Sequence, residues 1–150
     1  MNIVLYQPDI ALNVGAIIRL SVCFKAKLHL IEPLGFPYNE KKIRQSALDY
    51  FQHAQIIRHS DFDEFLNFKN NNPGKLILFS TKGKKRPYDC QMEINDYLIF
   101  GSESKGVKQE VVDNSDEIVK IPISDNARSL NLVTAISVAS GEFIRQNNYL

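Results

Sequence analysis

Six short apolar runs constrain this chain more than anything else in it. They are Asn2–Tyr6, Lys27–Ile31, Gln55–Arg58, Lys75–Ser80, Asp96–Phe100 and Glu117–Ile121. Each is too short for a buried helix and several end at Pro, Gly or a polar turn, so each predicts a buried strand. Between them lie helical patterns. Asn13 is placed to cap a helix over Val14–Phe24. Asn39–Phe51 sets Ile43, Ala47, Tyr50 and Phe51 on one face, with Lys41, Lys42 and Arg44 elsewhere. A third helix starts at Ser60 or Asp61, with Glu64 supplying half a capping box, and stops at Asn70–Gly74. The last, Leu132–Gln146, carries a stripe of Leu132, Ile136, Ala139 and Phe143. Strands alternating with helices predict an α/β fold, a mostly parallel sheet with helices on both faces.

The Val14–Phe24 helix is apolar nearly all round, interrupted only by Arg19 and Ser21. One side fits a sheet; the other predicts a second subunit, a homodimer. The chain has 150 residues, 44% of them apolar, which predicts a single domain over 1–150 with a sizeable core. Eighteen Lys plus Arg against 17 Asp plus Glu leave a net charge of +1, so a polyanion must bind through local patches. Cys23 and Cys90 are too few for a disulfide scaffold or zinc ribbon. They predict a buried apolar filler and an ordinary loop residue, respectively. His29, His53 and His59 lack metal-site spacing, so no metal is expected, and they predict structural or exposed roles. The start MNIVLYQPD has no basic segment of a signal peptide, and no apolar run nears the roughly 20 residues of a membrane helix. A soluble, cytoplasmic protein without membrane contact is expected.

Ligands of such sheets bind beyond the carboxyl ends of the strands. Three loops there are unusually polar. After Phe100 comes GSESKG (101–106), either an ordinary turn or a bared backbone approaching a ligand, with Glu103 at the strand tip. It is not GxGxxG, and no P-loop is present, which argues against a nucleotide-dependent oxidoreductase. After Pro122, the stretch 123–131 packs six polar side chains, more than a turn needs; Ser129 or Asn131 alone is explained by capping the last helix. Asn13-Val14-Gly15 with Arg19 is the third feature, where Asn13 suits a cap and Gly15 a close packing contact. A lone guanidinium on so apolar a helix needs an anionic partner, either a carboxylate such as Glu103 or an RNA phosphate. Lys82, Lys84, Lys85 and Arg86 form either a solvated loop or a guide for a polyanion.

Taken together and in this order, the three loops resemble the motifs of the SPOUT class of RNA methyltransferases. The segments are NVGAIIR (Asn13–Arg19), LIFGSESKG (Leu98–Gly106) and IPISDNARSLNLVTAISV (Ile121–Val138). NIVLYQPDIALNVGAIIRL at the start, LHLIEPLGF (Leu28–Phe36) and LDYF (Leu48–Phe51) extend the resemblance over nearly the whole chain, toward bacterial tRNA wobble-ribose 2'-O-methyltransferases. The resemblance implies an alpha/beta knot fold with a C-terminal trefoil knot, a homodimer, and S-adenosyl-L-methionine as methyl donor. It implies as acceptor the wobble ribose of the tRNA anticodon stem-loop, cytidine or modified uridine, in leucine tRNAs. Its functional positions fall on Asn13, Arg19, Glu103 and Asn131, together with Ser129. Its cofactor contacts fall around Phe79, Gly101 and Ile121, with Ser129 and Leu130 completing the pocket. Ser102 stands where proline is usual, and Lys105 where arginine is usual. The intact motif positions argue against a non-catalytic RNA-binding module; a different tRNA or rRNA position is the other alternative. A guanidinium is a poor base, so Arg19 is expected to stabilise phosphate and alkoxide rather than take the proton.

Overall fold

Alternate residues of the strands divide two cores, as the side-chain period of two requires. In the computed structural model, which describes residues 1–37 and 40–150, Ile3 and Leu5 face one core while Val4 and Tyr6 face the other. The same split holds for Ile77 and Phe79 against Leu76 and Leu78, and for Leu98 and Phe100 against Tyr97 and Ile99. The strands are β1 Asn2–Tyr6, β2 Lys27–Ile31, β3 Gln55–His59, β4 Leu76–Phe79, β5 Tyr97–Phe100 and β6 Glu117–Val119. All pair in parallel, in the order β3-β2-β1-β5-β4-β6. Ile3 is level with Leu28 and Leu98, which brings the carboxyl ends of β1, β2 and β5 to one edge.

Helices α1 (Ala11–Cys23), α2 (Glu40–Ala47) and α5 (Leu132–Asn147) cover the first face; α3 (Phe62–Asn71) and the short α4 (Gln109–Asp113) cover the second. The α5 stripe of Leu132, Ile136, Ala139 and Phe143 is buried as its spacing predicts. Asp61 caps α3, accepting from the Glu64 N–H at 2.8 Å, while the Glu64 carboxylate accepts from the Ser60 N–H.

Several boundaries differ from the sequence reading. Helix α1 begins at Ala11, with Ile10 as its uncapped N-terminal residue, so Asn13 sits inside the first turn and does not cap it. The Val14 N–H already bonds the Ile10 carbonyl, leaving the Asn13 side chain available elsewhere. Strand β6 stops at Val119 because the next N–H, that of Lys120, is drawn to the Lys85 carbonyl at 2.8 Å. The expected Asn39–Phe51 helix divides: α2 ends at Ala47 and a 3-10 turn spans Leu48–His53, starting from Leu48 at φ +57°. Asn39, and the side chains of Lys41, Lys42 and Arg44, lie outside the described residues.

The two cysteines exchange their expected places. Cys90 is buried beneath α5, where the Gln146 amide donates to its carbonyl at 3.0 Å, and Cys23 is exposed on α1. No helix among the described residues is long and apolar enough to cross a membrane.

Candidate functional site at the carboxyl ends of β4, β5 and β6

A cavity of about 770 Å³ opens where β4, β5 and β6 end. Its floor is the stacked pair Phe79 and Phe100, with ring centroids 5.0 Å apart. Ile118, Ile121, Ile123, Leu130, Leu132 and Ala135 supply apolar walls. Ser80, Thr81, Ser129 and the loop residues Gly101, Ser102, Glu103, Lys105 and Gly106 supply the polar rim. Apolar walls with a few convergent polar groups, in this size range, suit a small organic ligand. All five residues expected at the cofactor pocket, Phe79, Gly101, Ile121, Ser129 and Leu130, line it.

Backbone geometry explains the loop after β5. Ser102 and Gly106 pair across it, the Ser102 N–H donating to the Gly106 carbonyl at 3.0 Å and the Gly106 N–H returning a bond of 2.9 Å. A Cβ on Gly101 would overlap the Gly106 backbone, and Gly106 itself sits at φ +69°. Two glycines are therefore dictated by a tight loop and a left-handed residue. Ser102 Oγ also accepts from the Lys105 N–H at 3.2 Å.

Glu103 is the hub of the site. Its carboxylate accepts from Asn13 Nδ2 at 2.8 Å and from the Asp9 N–H at 2.7 Å. Asn131 caps α5, its Oδ1 accepting from the Val133 N–H at 2.9 Å, and its Nδ2 reaches back to Asn13 Oδ1 at 3.4 Å. Asn131 thus caps α5 and at the same time lines the cavity. The chain Asp9–Glu103–Asn13–Asn131 joins the end of β1, the β5 loop, α1 and α5 at the cavity mouth. Asp9 was not anticipated, although a carboxylate just past a central strand is a legible signal. Its Oδ2 accepts from Ser104 Oγ at 2.6 Å and the Ser104 N–H at 2.9 Å, bonds that hold its carboxyl below the ordinary range.

Arg19 does not pair with Glu103 and does not line the cavity. It is exposed on α1, its guanidinium carbon 5.5 Å from the Tyr50 ring centroid. One turn apart on that helix, Leu12 (72% exposed), Ala16, Arg19 and Cys23 form a stripe facing away from the core. The side covered by the chain itself is larger than expected: Gly15 touches α2, where a Cβ would overlap Ser46. On α5, Ala139 and Ser140 are occupied by this chain's own core, leaving Val138 and Gly141 facing outward.

The basic loop is only partly free. Lys85 Nζ lies 2.7 Å from Glu117, which raises its affinity for the proton, and Arg86 donates to Tyr88 Oη at 2.6 Å. Lys82 and Lys84 are exposed, Lys82 at the cavity rim. His29 and His59 are buried together, Nδ1 to Nε2 3.0 Å, against Phe65, Phe68 and Tyr97. They are structural, and His53 is exposed.

Comparison with known proteins places this arrangement. Residues 1–140 match the model of the SpoU rRNA methylase family. A tRNA (cytidine(34)-2'-O)-methyltransferase of Burkholderia pseudomallei is 38% identical, over 99% of this chain and 96% of its own. The protein of the same description from Escherichia coli K12 is also 38% identical, over 99% and 95%. A solved structure described as giving insight into 2-OH methylation of C/U34 on tRNA superimposes with a TM-score of 0.91 at 37% identity, covering 97% of this chain and 94% of that one. A methyltransferase from Streptomyces viridochromogenes, solved with AdoMet, shares the fold at a TM-score of 0.88 and 22% identity, over 97% of this chain and 57% of its own. The fold is that of the SPOUT methyltransferases, and the chain belongs to the SpoU rRNA methylase family.

Proposed function

We propose that this protein transfers a methyl group from S-adenosylmethionine to the 2'-hydroxyl of the wobble ribose, cytidine or modified uridine, in the tRNA anticodon, with leucine tRNAs as substrates. The observation that carries this reading is the Asp9–Glu103–Asn13–Asn131 chain at the mouth of a cavity built by three strand ends. Relatives described as acting on cytidine 34 of tRNA, aligned over nearly the whole chain, support the substrate.

The cavity fits the methyl donor. Its apolar floor of Phe79 and Phe100 accepts a purine ring, and the hydroxyls of Ser80, Thr81 and Ser129 suit a ribose and an amino acid tail. The bound donor supplies an electrophilic sulfonium methyl. Main chain around Gly101, Ile121 and Leu130 would hold it, and the Glu103–Asn13 bond fixes the loop beside it. The protein's task is then alignment of a hydroxyl oxygen behind the methyl group. Arg19 stabilises phosphate and developing alkoxide charge, and water or another group takes the proton. Arg19 lies outside its own chain's cavity, which supports a homodimer in which it serves the site of the second copy. The exposed α1 stripe of Leu12, Ala16 and Arg19 supports that interface.

A C-terminal knot belongs to the same reading. Residues 80–92 wrap around the end of β6, with Lys85 bridged to Val119 and the Ser80 N–H bonded to the Val119 carbonyl. On its other side this segment is gripped by α5, through Gln146 to Cys90 and to the Met92 N–H.

The test is methylation of leucine-type tRNA or its anticodon stem-loop by the purified protein, followed by nuclease mass mapping. Methyl on the wobble ribose is expected. Methyl on a base, or on a ribose elsewhere, overturns the assignment.

A further inference from the structure

A second cleft, of about 350 Å³, lies at the carboxyl ends of β1 and β2, on the other side of the 101–106 loop from the cofactor cavity. Ser102, Lys105, Gly106 and Val107 line both spaces. The loop is therefore a shared wall. We propose that this cleft seats the base of the nucleoside next to the one being methylated, with Lys105 holding the phosphate that links the two across the wall. This rests on the functional reading above.

Three observations select that occupant. The wall is a single backbone pair, Ser102 with Gly106, doubly hydrogen-bonded and hence rigid. Such a pair is about 5 Å wide before side-chain and van der Waals margins are added, so groups on its two sides stand farther apart than a ribose and its own base. One backbone step of an extended single strand spans that distance. A neighbouring nucleoside fits the separation; the target's own base does not.

The top of the wall is bare and cationic. Gly106 has no side chain, and nothing lies within 4 Å of where a Cβ would point. Lys105 is exposed, and among the described residues no carboxylate is within ion-pair distance of it. Lys108, on the same rim, stands 3.8 Å from Glu110, a loose and exposed contact. Asp9 feels the charge of Lys105 without forming an ion pair with it, so a bare glycine beside this exposed ammonium suits the passage of a phosphodiester.

The cleft interior suits an unstacked base. Pro33, Leu34 and Val107 provide apolar surface, and Asp9 and Gln7 place polar atoms at its edge. Exposed bases of single-stranded RNA are recognised by this pairing of an apolar platform with edge contacts.

Leu34 lines this cleft and not the cofactor cavity, which separates the two sites experimentally. The assay uses anticodon stem-loops carrying a single abasic ribose on either side of the wobble position, with wild-type protein, Leu34→Glu and Lys105→Ala. For the wild type, removing one of the two flanking bases raises KM by at least ~5-fold with kcat retained. Leu34→Glu raises KM on intact RNA to the same degree and abolishes sensitivity to the abasic site, while S-adenosylmethionine affinity by calorimetry is unchanged. Lys105→Ala loses the response to a neutral methylphosphonate at the linking phosphate. Wild-type KM indifferent to both flanking bases, or Leu34→Glu fully sensitive to the abasic site, overturns the assignment. Failure of the wild-type protein to methylate the wobble ribose of intact RNA overturns instead the functional reading beneath it.

Discussion

The polarity of the Glu103–Asn13 contact can be reversed, and the consequences follow from the hydrogen-bond inventory. Glu103 is acceptor-only: one oxygen takes the Asp9 N–H at 2.7 Å, the other Asn13 Nδ2 at 2.8 Å. In Glu103→Gln, the amide oxygen keeps the Asp9 bond and the amide nitrogen now faces a donor. Asn13 must rotate its amide, which turns its oxygen away from Asn131 Nδ2. Two charge-assisted bonds become one neutral bond and one rearranged bond, at a cost of about 1–2 kcal/mol. For a chain of this length, that lowers Tm by about 2–8 °C. Asn13→Asp alone sets two carboxylates at 2.8 Å, a repulsion between ~1.5 kcal/mol at the dielectric of water and ~6 kcal/mol at an effective value of 20. The half-buried setting of both residues puts the cost between these bounds. The double variant Asn13→Asp/Glu103→Gln restores every bond and reverses one: the new amide on the β5 loop donates to the new carboxylate on α1, while that carboxylate still accepts from Asn131 and the new amide oxygen still accepts from the Asp9 N–H. Thermal unfolding of all four proteins measures the coupling, expected at about 1.5 kcal/mol or more in favour of the double variant. Methyl transfer should recover alongside stability. Additive losses in the double variant would refute the hub.

Other perturbations separate the parts of the site. Arg19→Ala should leave S-adenosylmethionine affinity within about 2-fold and reduce turnover at least ~100-fold by kinetic assay, since Arg19 is outside its own cavity. Lys84→Ala should flatten the salt dependence of RNA binding by up to roughly one unit of slope, whereas Lys85→Ala should leave the slope unchanged, because Lys85 is already paired with Glu117. Burial pushes His29 down from 6.5 to about 3, and His59 down as well, so the unfolded chain takes up protons first as pH falls. Stability is complete above about pH 6.5 and declines below it; His29 alone contributes a loss of about 2 kcal/mol by pH 5, visible as a lower urea midpoint that His29→Gln flattens.

The strands were legible because burial on both faces produces unbroken apolar runs, and all six lie within two residues of their expected bounds. The stripe on α5 was legible for the same reason. The start of α1 was not, because Asn13 has the chemistry of a cap and its actual partner, Glu103, is 90 residues away. Capping is a local rule, and here a long-range carboxylate overrides it. Lys85 looked like one cation of a basic loop for a similar reason: Glu117 is 32 residues distant and reaches it only through the crossover that seats β6 beside β4. The expected cofactor positions all reached the cavity, since main chain at strand ends is placed by the sheet itself. Arg19 is the opposite case. Its side chain departs from α1 on the outward stripe, and one chain's topology does not bring it to its own cavity.

The architecture thereby divides labour between main chain and side chain. Parallel pairing fixes the ends of β4 and β5 to within one residue of each other, so the cavity floor of Phe79 and Phe100 follows from register alone. The parts that sheet pairing does not fix are the loops above it, and each is tied by a side chain from a different element. Glu103 ties the β5 loop to α1 and the end of β1, Asp9 ties it again through Ser104, and Asn131 ties the entry of α5 to Asn13. Asn131 also satisfies the first free N–H groups of α5, so the helix cannot be well capped with that side chain turned away from its cap position. Stability of the last helix and placement of the site mouth are consequently one physical event. A loop that would otherwise sample many conformations is held by four hydrogen bonds, two through Glu103 and two through Ser104, which preorganises the site mouth before any ligand arrives.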